Sequence, residues 1–288
     1  MIGPRQLTPL DDDYPLGLRA LPSPPPVISV AGKIEPGPAV AIVGTRKPTR
    51  LAARLAHDLA SAIAARGTIV ISGGAVGIDA AAHEGAMAGG GRTWVVSGTG
   101  EGVLYPKEHG PLFARIVERG GAMVWPFPPG TQGHRHTFLQ RNGVLVALAQ
   151  LVVIVQARIP SGALNAALWA RRLERPRWVV CPAPWEAEGF EGCEAEAAAG
   201  AHILTSVPRF LKESGIPFGV SPVRAPPPMN PQQQQVLAAI DRTPRHVDEV
   251  AGKCRLPYSE VMTALLTLGL ENVVVEGPEG FYRRAISP

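Results

Sequence analysis

The chain has 288 residues, 45% of them apolar and 6% aromatic, enough to pack one large domain and a smaller one. No apolar run is as long as a membrane span, and residues 1–10 show neither a charged leading region nor an apolar stretch, so membrane insertion and export are not expected and a cytoplasmic protein is. A net charge of +4 is mild support for a polyanionic partner.

Residues 1–38 are rich in proline, including Pro22 and Pro24 to Pro26, and hold no sustained period of 3.6 or 2, so they read as an extended lead-in wrapped on the domain. Ala39 to Val43 is a fully apolar strand ending in Gly44-Thr45-Arg46-Lys47-Pro48-Thr49. Leu51, Leu55, Leu59 and Ile63 then recur every fourth residue as far as Gly67, an amphipathic helix with a glycine stop. The unit repeats with a strand over 68–71, a turn through Ser72-Gly73-Gly74 and Gly77, and a helix over 78–87. A β-branched run that ends in glycines and turns into a helix leaves unpaired N–H groups at the helix N-terminus, which suits phosphate. Asp79, in the first turn, either complements that end of the helix or touches a ligand. His83, in an alanine-rich helix, reads as a structural histidine. The glycine spacing matches neither G-x-G-x-x-G nor a P-loop, so pyridine-nucleotide binding is weakly supported and no cofactor is expected.

Strands over 93–96, 122–125, 151–156 and 178–180 follow, with helices over 111–119, 138–149 and 163–173 and a weaker one over 194–199. Apolar strands alternating with helices mean an α/β fold, a parallel Rossmann-like sheet covered on both faces, here drawn over 39–216. Right-handed crossovers set every strand-to-helix loop along the carboxyl edge of such a sheet, so loops distant in sequence share one crevice. That edge collects Arg46, Gly73-Gly74, Gly98-Thr99-Gly100 and the 126–137 loop, with Arg135, His136, Phe138, Arg141 and Asn142 at or just past it. Arginines make charge-assisted bonds to phosphate, and an aromatic ring stacks on any base for about 1–3 kcal/mol. Core packing competes with stacking for Phe138, and surface ion pairing competes with phosphate for Arg46 and Arg141. Tyr105-Pro106 reads as a loop-shaping pair. The three cysteines, Cys181, Cys193 and Cys254, share no C-x-x-C spacing and suggest neither a disulfide framework nor a zinc site.

A short helix over 208–215 precedes a stretch, 217–231, with six prolines in fifteen positions, and a linker is drawn over 217–230. Helices over 231–240, 246–253 and 257–270, the last with Val261, Leu265 and Leu268 on one face, lead into a hairpin of 272–276 and 280–284. Three helices and a hairpin make a winged helix over 231–288. From Met229 onward six basic and seven acidic side chains give a net charge of −1, leaving +5 for residues 1–228, so a polyanion is expected on the first part. The third helix with the residue that follows it, PYSEVMTALLTLGLE, carries two glutamates and no lysine or arginine, which favours protein contact or a structural role over DNA reading.

With those residues placed, the chain resembles the DNA-processing protein A family (DprA, also called Smf), bacterial single-strand DNA binders of natural transformation. The resemblance rests on Val43-Gly44-Thr45-Arg46-Lys47-Pro48-Thr49, Ser72-Gly73-Gly74-Ala75-Val76-Gly77-Ile78-Asp79 with Ala82-His83, Tyr105-Pro106 with Leu112, Phe138 with Arg141-Asn142, and Ser161-Gly162. It implies an extended Rossmann fold that binds and shields single-stranded DNA and helps load the RecA recombinase without turnover, as a homodimer joined through its Rossmann domains. Its phosphate pocket maps onto Gly44, Thr45, Arg46 and Lys47, the Ser72-Gly73-Gly74 turn, and Arg141 with Asn142, while Arg135 and Phe138 supply basic and aromatic groups. The C-terminal module resembles the winged helix that many members carry. The family's Arg-Asn-Arg is Arg141-Asn142-Gly143 here, and its Ser-Glu after the fourth strand is Trp125-Pro126. The alternative is a Rossmann-like enzyme resembling the phosphoribohydrolases that release a base from a nucleoside monophosphate, with Asp79 and Glu84 as its carboxylates.

Overall fold

The fully apolar runs become the centre of a nine-stranded sheet because only strands covered on both faces can bury every side chain. The structure, a computed structural model, describes residues 3–182, 188–217, 229–241, 243–270, 273–276 and 280–284. The chain divides into Met1–Ser221 and Pro222–Pro288. Most of the predicted linker and the tip of the predicted hairpin lie outside the described residues.

In the first unit the strands are β1 (Arg5–Leu7), β2 (Ile28–Gly32), β3 (Ala39–Val43), β4 (Ile69–Ser72), β5 (Thr93–Val96), β6 (Ala122–Trp125), β7 (Leu151–Ile154), β8 (Arg177–Val180) and β9 (His202–Leu204). Their order across the sheet is β1-β2-β6-β5-β4-β3-β7-β8-β9. Strands β3 to β9 pair in parallel, whereas β2 pairs antiparallel with both β6 and β1. The 1–38 segment, read from its prolines as an extended lead-in, thus contributes two strands to one edge of the sheet. Each is only three to five residues long, too short to show a period between prolines.

Among the described residues the connections hold the α-helices α1 (Arg50–Ala64), α2 (Ile78–Ala88), α3 (Gly110–Glu118), α4 (Arg135–Ala147), α5 (Gly162–Arg172), α6 (Glu191–Ala198) and α7 (Val207–Glu213). Thr49 starts α1 by accepting the Ala52 N–H at 3.1 Å. The every-fourth-residue pattern drifts around the helix by about 40° per step, since the true repeat is 3.6 residues. Leu59 and Ile63 are therefore buried while Leu51 is 56% exposed, and the face toward the core is completed by Ala52, Ala56 and Ala60. That small-residue face admits α2 at close range: a Cβ on Gly85 would lie 2.1 Å from the His57 carbonyl oxygen, and one on Gly89 2.3 Å from that of Ser61.

His83 of α2 is fully buried, and its Nδ1 lies 2.7 Å from the Thr93 hydroxyl. That hydroxyl donates to the Val70 carbonyl, so the imidazole must donate from Nδ1, which leaves Nε2 without a partner. Burial, with His109 and Arg141 adding to it, pulls the pKa from 6.5 to about 3. The unfolded chain therefore binds a proton near pH 6.5 that the folded chain refuses until about pH 3. Stability is expected to fall through that window as pH drops, by up to about 1.4 kcal/mol per pH unit for the one proton. Denaturant unfolding of His83→Gln beside the parent checks this. The difference between the two curves should shrink toward acid, and parallel curves would show that His83 titrates alike in both states.

In the second unit, α8 (Pro231–Ala239), α9 (Val247–Cys254) and α10 (Tyr258–Leu270) pack with β10 (Arg245–His246), β11 (Val274–Glu276) and β12 (Phe281–Arg284) in the sheet order β10-β12-β11. Val236, Val250, Val261, Leu265, Leu268 and Tyr282 form its core. This is the predicted winged helix, with the two-residue β10 as an addition. Tyr258 and Leu266 of α10 stay exposed. Among the described residues no helix is long and apolar enough to cross a membrane.

Candidate nucleic-acid interface

From β3 the chain runs outward through β4, β5 and β6, then returns along α4 to place β7 on the other side of β3. Loops on either side of such a reversal leave the helices in opposite directions and open a crevice at the carboxyl ends of the strands. A cavity of about 820 Å³ lies there. Its walls are the 44–47 loop after β3, Asp79, Tyr105, residues 133–135, the Phe138–Arg141–Asn142 side of α4, and the loop after β7 with Arg158 and Ser161.

The 44–47 loop is held from two sides. Thr45 donates its N–H to the Gln156 carbonyl at 2.8 Å, and the Gln156 side-chain oxygen accepts the Thr49 N–H at 2.9 Å. On the other side the Thr45 carbonyl accepts the Ile78 N–H, the first of α2, at 3.2 Å. Gly77 permits this approach: its φ is +88°, and a Cβ there would meet the Thr45 carbonyl oxygen at 2.5 Å. Fixed in this way, Arg46 and Lys47 are exposed at the rim. The Arg46 guanidinium carbon lies 5.5 Å from the centre of the Phe138 ring, a cation–π distance.

The glycine turn behaves differently from its sequence reading. Ser72, Gly73 and Gly74 are buried and do not line the cavity. The Ser72 hydroxyl donates to the Ile42 carbonyl at 2.6 Å, and the Gly74 carbonyl lies 2.9 Å from Nδ1 of His109. Two N–H groups of this stretch have internal acceptors: the Thr45 carbonyl takes that of Ile78, and Asp79 takes that of Ala75 at 3.3 Å. Gly73 instead makes room for Arg141, whose Nη1 would stand 1.8 Å from a Cβ at that position.

Arg141 is only 6% exposed, at the cavity floor, with Nη1 donating to the Val96 carbonyl at 2.7 Å. Its Nε has no partner among the described residues. Burial pulls its pKa below the ordinary arginine value against the pull of Asp79, and burial pushes Asp79 up while Arg141, the Ala75 N–H, Ser72 and Arg46 hold it down. Asn142, also buried, donates its amide to the Gly162 carbonyl at 3.1 Å and to the Asn165 side chain at 3.2 Å, tying α4 to the start of α5. Gly143 lies under the Trp169 indole, where a Cβ would be 2.8 Å from the ring. The position at which the sequence departs from Arg-Asn-Arg is thus filled from α5.

Arg135 is exposed at the start of α4, and Phe138, one turn on, is half-buried against Gly98 and Gly133. Three residues on the wall escaped the sequence reading as ligand groups: Tyr105, His134 and Arg158. Applying the carboxyl-edge rule to the loop after the 151–156 strand would have named Arg158. Among the described residues five arginine or lysine side chains line the cavity, with Asp79 as the carboxylate. Among the described residues Arg46, Lys47 and Arg135 have no ion-pair partner, and Arg158 has only the exposed Glu188 at 3.6 Å. Glu84, the other carboxylate of the hydrolytic alternative, is paired with Arg115 of α3.

The family model for DNA recombination-mediator protein A matches residues 5–215, and that for the DprA winged helix domain matches residues 220–280. Protein Smf of Synechocystis sp. is 30% identical over 98% of this chain and 80% of its own length. The X-ray structure of DNA processing protein A from Streptococcus pneumoniae superposes with a TM-score of 0.67 at 29% identity, covering 73% of this chain and 74% of that one. The DNA processing protein A of Helicobacter pylori, described for its single-stranded DNA binding mode, superposes with a TM-score of 0.65 at 25% identity, covering 73% and 94%. Fold and sequence agree, and the chain belongs to the DNA recombination-mediator protein A family.

Proposed function

We propose that the protein is a non-catalytic binder of single-stranded DNA in DNA processing and natural transformation, acting in the cytoplasm. It shields the strand in the crevice and passes it to the RecA recombinase, and it works as a homodimer joined through the Rossmann-like unit. The observation that carries this reading is the cavity wall, where Arg46, Lys47 and Arg135, without ion-pair partners among the described residues, stand beside aromatic rings and the buried carboxylate of Asp79. Phosphates supply the counter-charge, and only unpaired bases present their faces to a ring. The single-stranded DNA binding of the Helicobacter pylori relative supports it. In this reading Gly44, Thr45, Arg46, Lys47, Arg135, Phe138, Arg141 and Asn142 form or position the binding surface, and Ser72, Gly73 and Gly74 support it from behind.

Fluorescence anisotropy of a labelled oligonucleotide, single-stranded and then as duplex, across a salt series is the test. The single strand is expected to bind more tightly, with affinity falling as salt rises by a slope of about −0.7 per neutralised phosphate. Equal affinity for the duplex would sink the reading.

A further inference from the structure

We propose that Tyr105 is the base-stacking residue of the crevice, with Phe138 acting as its support. This deepens the single-strand reading and rests on it. Phe138, half-buried, already has neighbours on several sides of its ring. The Arg46 guanidinium lies over its face. A Cβ on Gly98 would come within 2.2 Å of one ring edge, and a Cβ on Gly133 within 3.1 Å of the opposite end. Tyr105 packs on the same ring, with centroids 5.1 Å apart and planes tilted by 52°, and remains 43% exposed on the cavity wall. Arg46 and Tyr105 therefore share one foundation, which brings a cation for a phosphate and an open ring for its neighbouring base to the same place.

The loop that carries Tyr105 is ordered before any ligand arrives. The Thr99 hydroxyl donates to the Val103 carbonyl at 2.7 Å, the Gly100 N–H to the Thr131 carbonyl at 2.9 Å, and the Gly130 N–H to the Glu101 carbonyl at 2.8 Å. The last two bonds join this loop to the one leading into Arg135. A ring held in this way loses little freedom when a base stacks on it, which is the condition for an aromatic side chain to add affinity.

The test compares oligo(dT) with an abasic sugar–phosphate strand of equal length, measured by anisotropy with the parent, Tyr105→Ala and Tyr105→Phe. The parent should prefer oligo(dT). Tyr105→Ala should lose about 5- to 150-fold in oligo(dT) affinity, with abasic affinity and salt slope unchanged, and Tyr105→Phe should behave as the parent. A dT-to-abasic ratio that survives Tyr105→Ala overturns the assignment and leaves the single-strand reading standing, whereas a parent that binds neither strand overturns both. Photo-crosslinking of the unaltered protein to a strand carrying 5-iododeoxyuridine gives a check free of any variant. A crosslink on Tyr105 supports the assignment, and crosslinks confined to residues 134–138 overturn it.

Discussion

Glu196→Leu is expected to lower the stability of the Rossmann-like unit by about 3 kcal/mol, the low end of what it costs to break a buried ion pair from one side. The Glu196 side chain is 8% exposed and accepts from Nη1 of Arg171 at 2.6 Å on both carboxylate oxygens, while Nε of Arg177 stands 3.1 Å away as an ion pair without hydrogen-bond geometry. Without the carboxylate, Arg171, 40% exposed, can turn into water at small cost. Arg177, 13% exposed and held by a bond from Nη2 to the Ala199 carbonyl, cannot, and its charge stays buried and half-paired. The three residues lie on α6, α5 and β8, so the same carboxylate fastens two helices to the sheet edge beyond β7. Urea unfolding at neutral pH measures the loss, and Glu196→Gln, which keeps an acceptor without the charge, should fall between the two. A loss under about 1 kcal/mol would place the cluster with the solvent-screened surface pairs.

How far the sequence foretold this molecule depends on the range of each signal. Strands β3, β4 and β7 were legible because a strand buried on both faces must be apolar at every position. Strands β1 and β2 were not, since β2 takes its hydrogen bonds from β6, about a hundred residues away, β1 depends on β2 in turn, and both sit among prolines that mask any alternation. Leu51 shows a local limit of another kind, where a spacing of four satisfies the eye and the 3.6-residue turn carries the side chain into solvent. In the crevice, Arg46, Arg135 and Phe138 followed from topology alone, because a strand-to-helix loop in a parallel sheet has one edge to go to. The Ser72-Gly73-Gly74 turn was found, but its role was not. Whether a helix N-terminus is free depends on what packs on it, and here the Thr45 carbonyl takes the first N–H of α2. Burial of Arg141 against Gly73, and of Gly143 under Trp169, was equally invisible, each being a contact between separate elements.

Arg46→Ala should weaken single-stranded DNA binding by tenfold or more at low salt, since a hydrogen bond to a charged group is worth about 1.5–3 kcal/mol. The salt slope should become shallower by about 0.7, one phosphate's share. Two features make Arg46 the cation with most to lose. It is exposed at the rim with no ion-pair partner among the described residues, so no ion pair has to break before it meets a phosphate. It also lies over Phe138, and its removal uncovers that ring and releases the support shared with Tyr105. Arg46→Lys separates the two contributions. The slope should return, because the charge is kept, while part of the affinity stays lost, because an ammonium lacks the flat fork that both stacks and binds two oxygens. Arg54→Ala, on the exposed side of α1 and paired with Asp58, removes a charge of the same kind away from the crevice and should leave both quantities as they are. If Arg46→Ala behaved like Arg54→Ala, the strand would not pass over the 44–47 loop, and the crevice at the strand-order reversal would lose its claim to be the binding site.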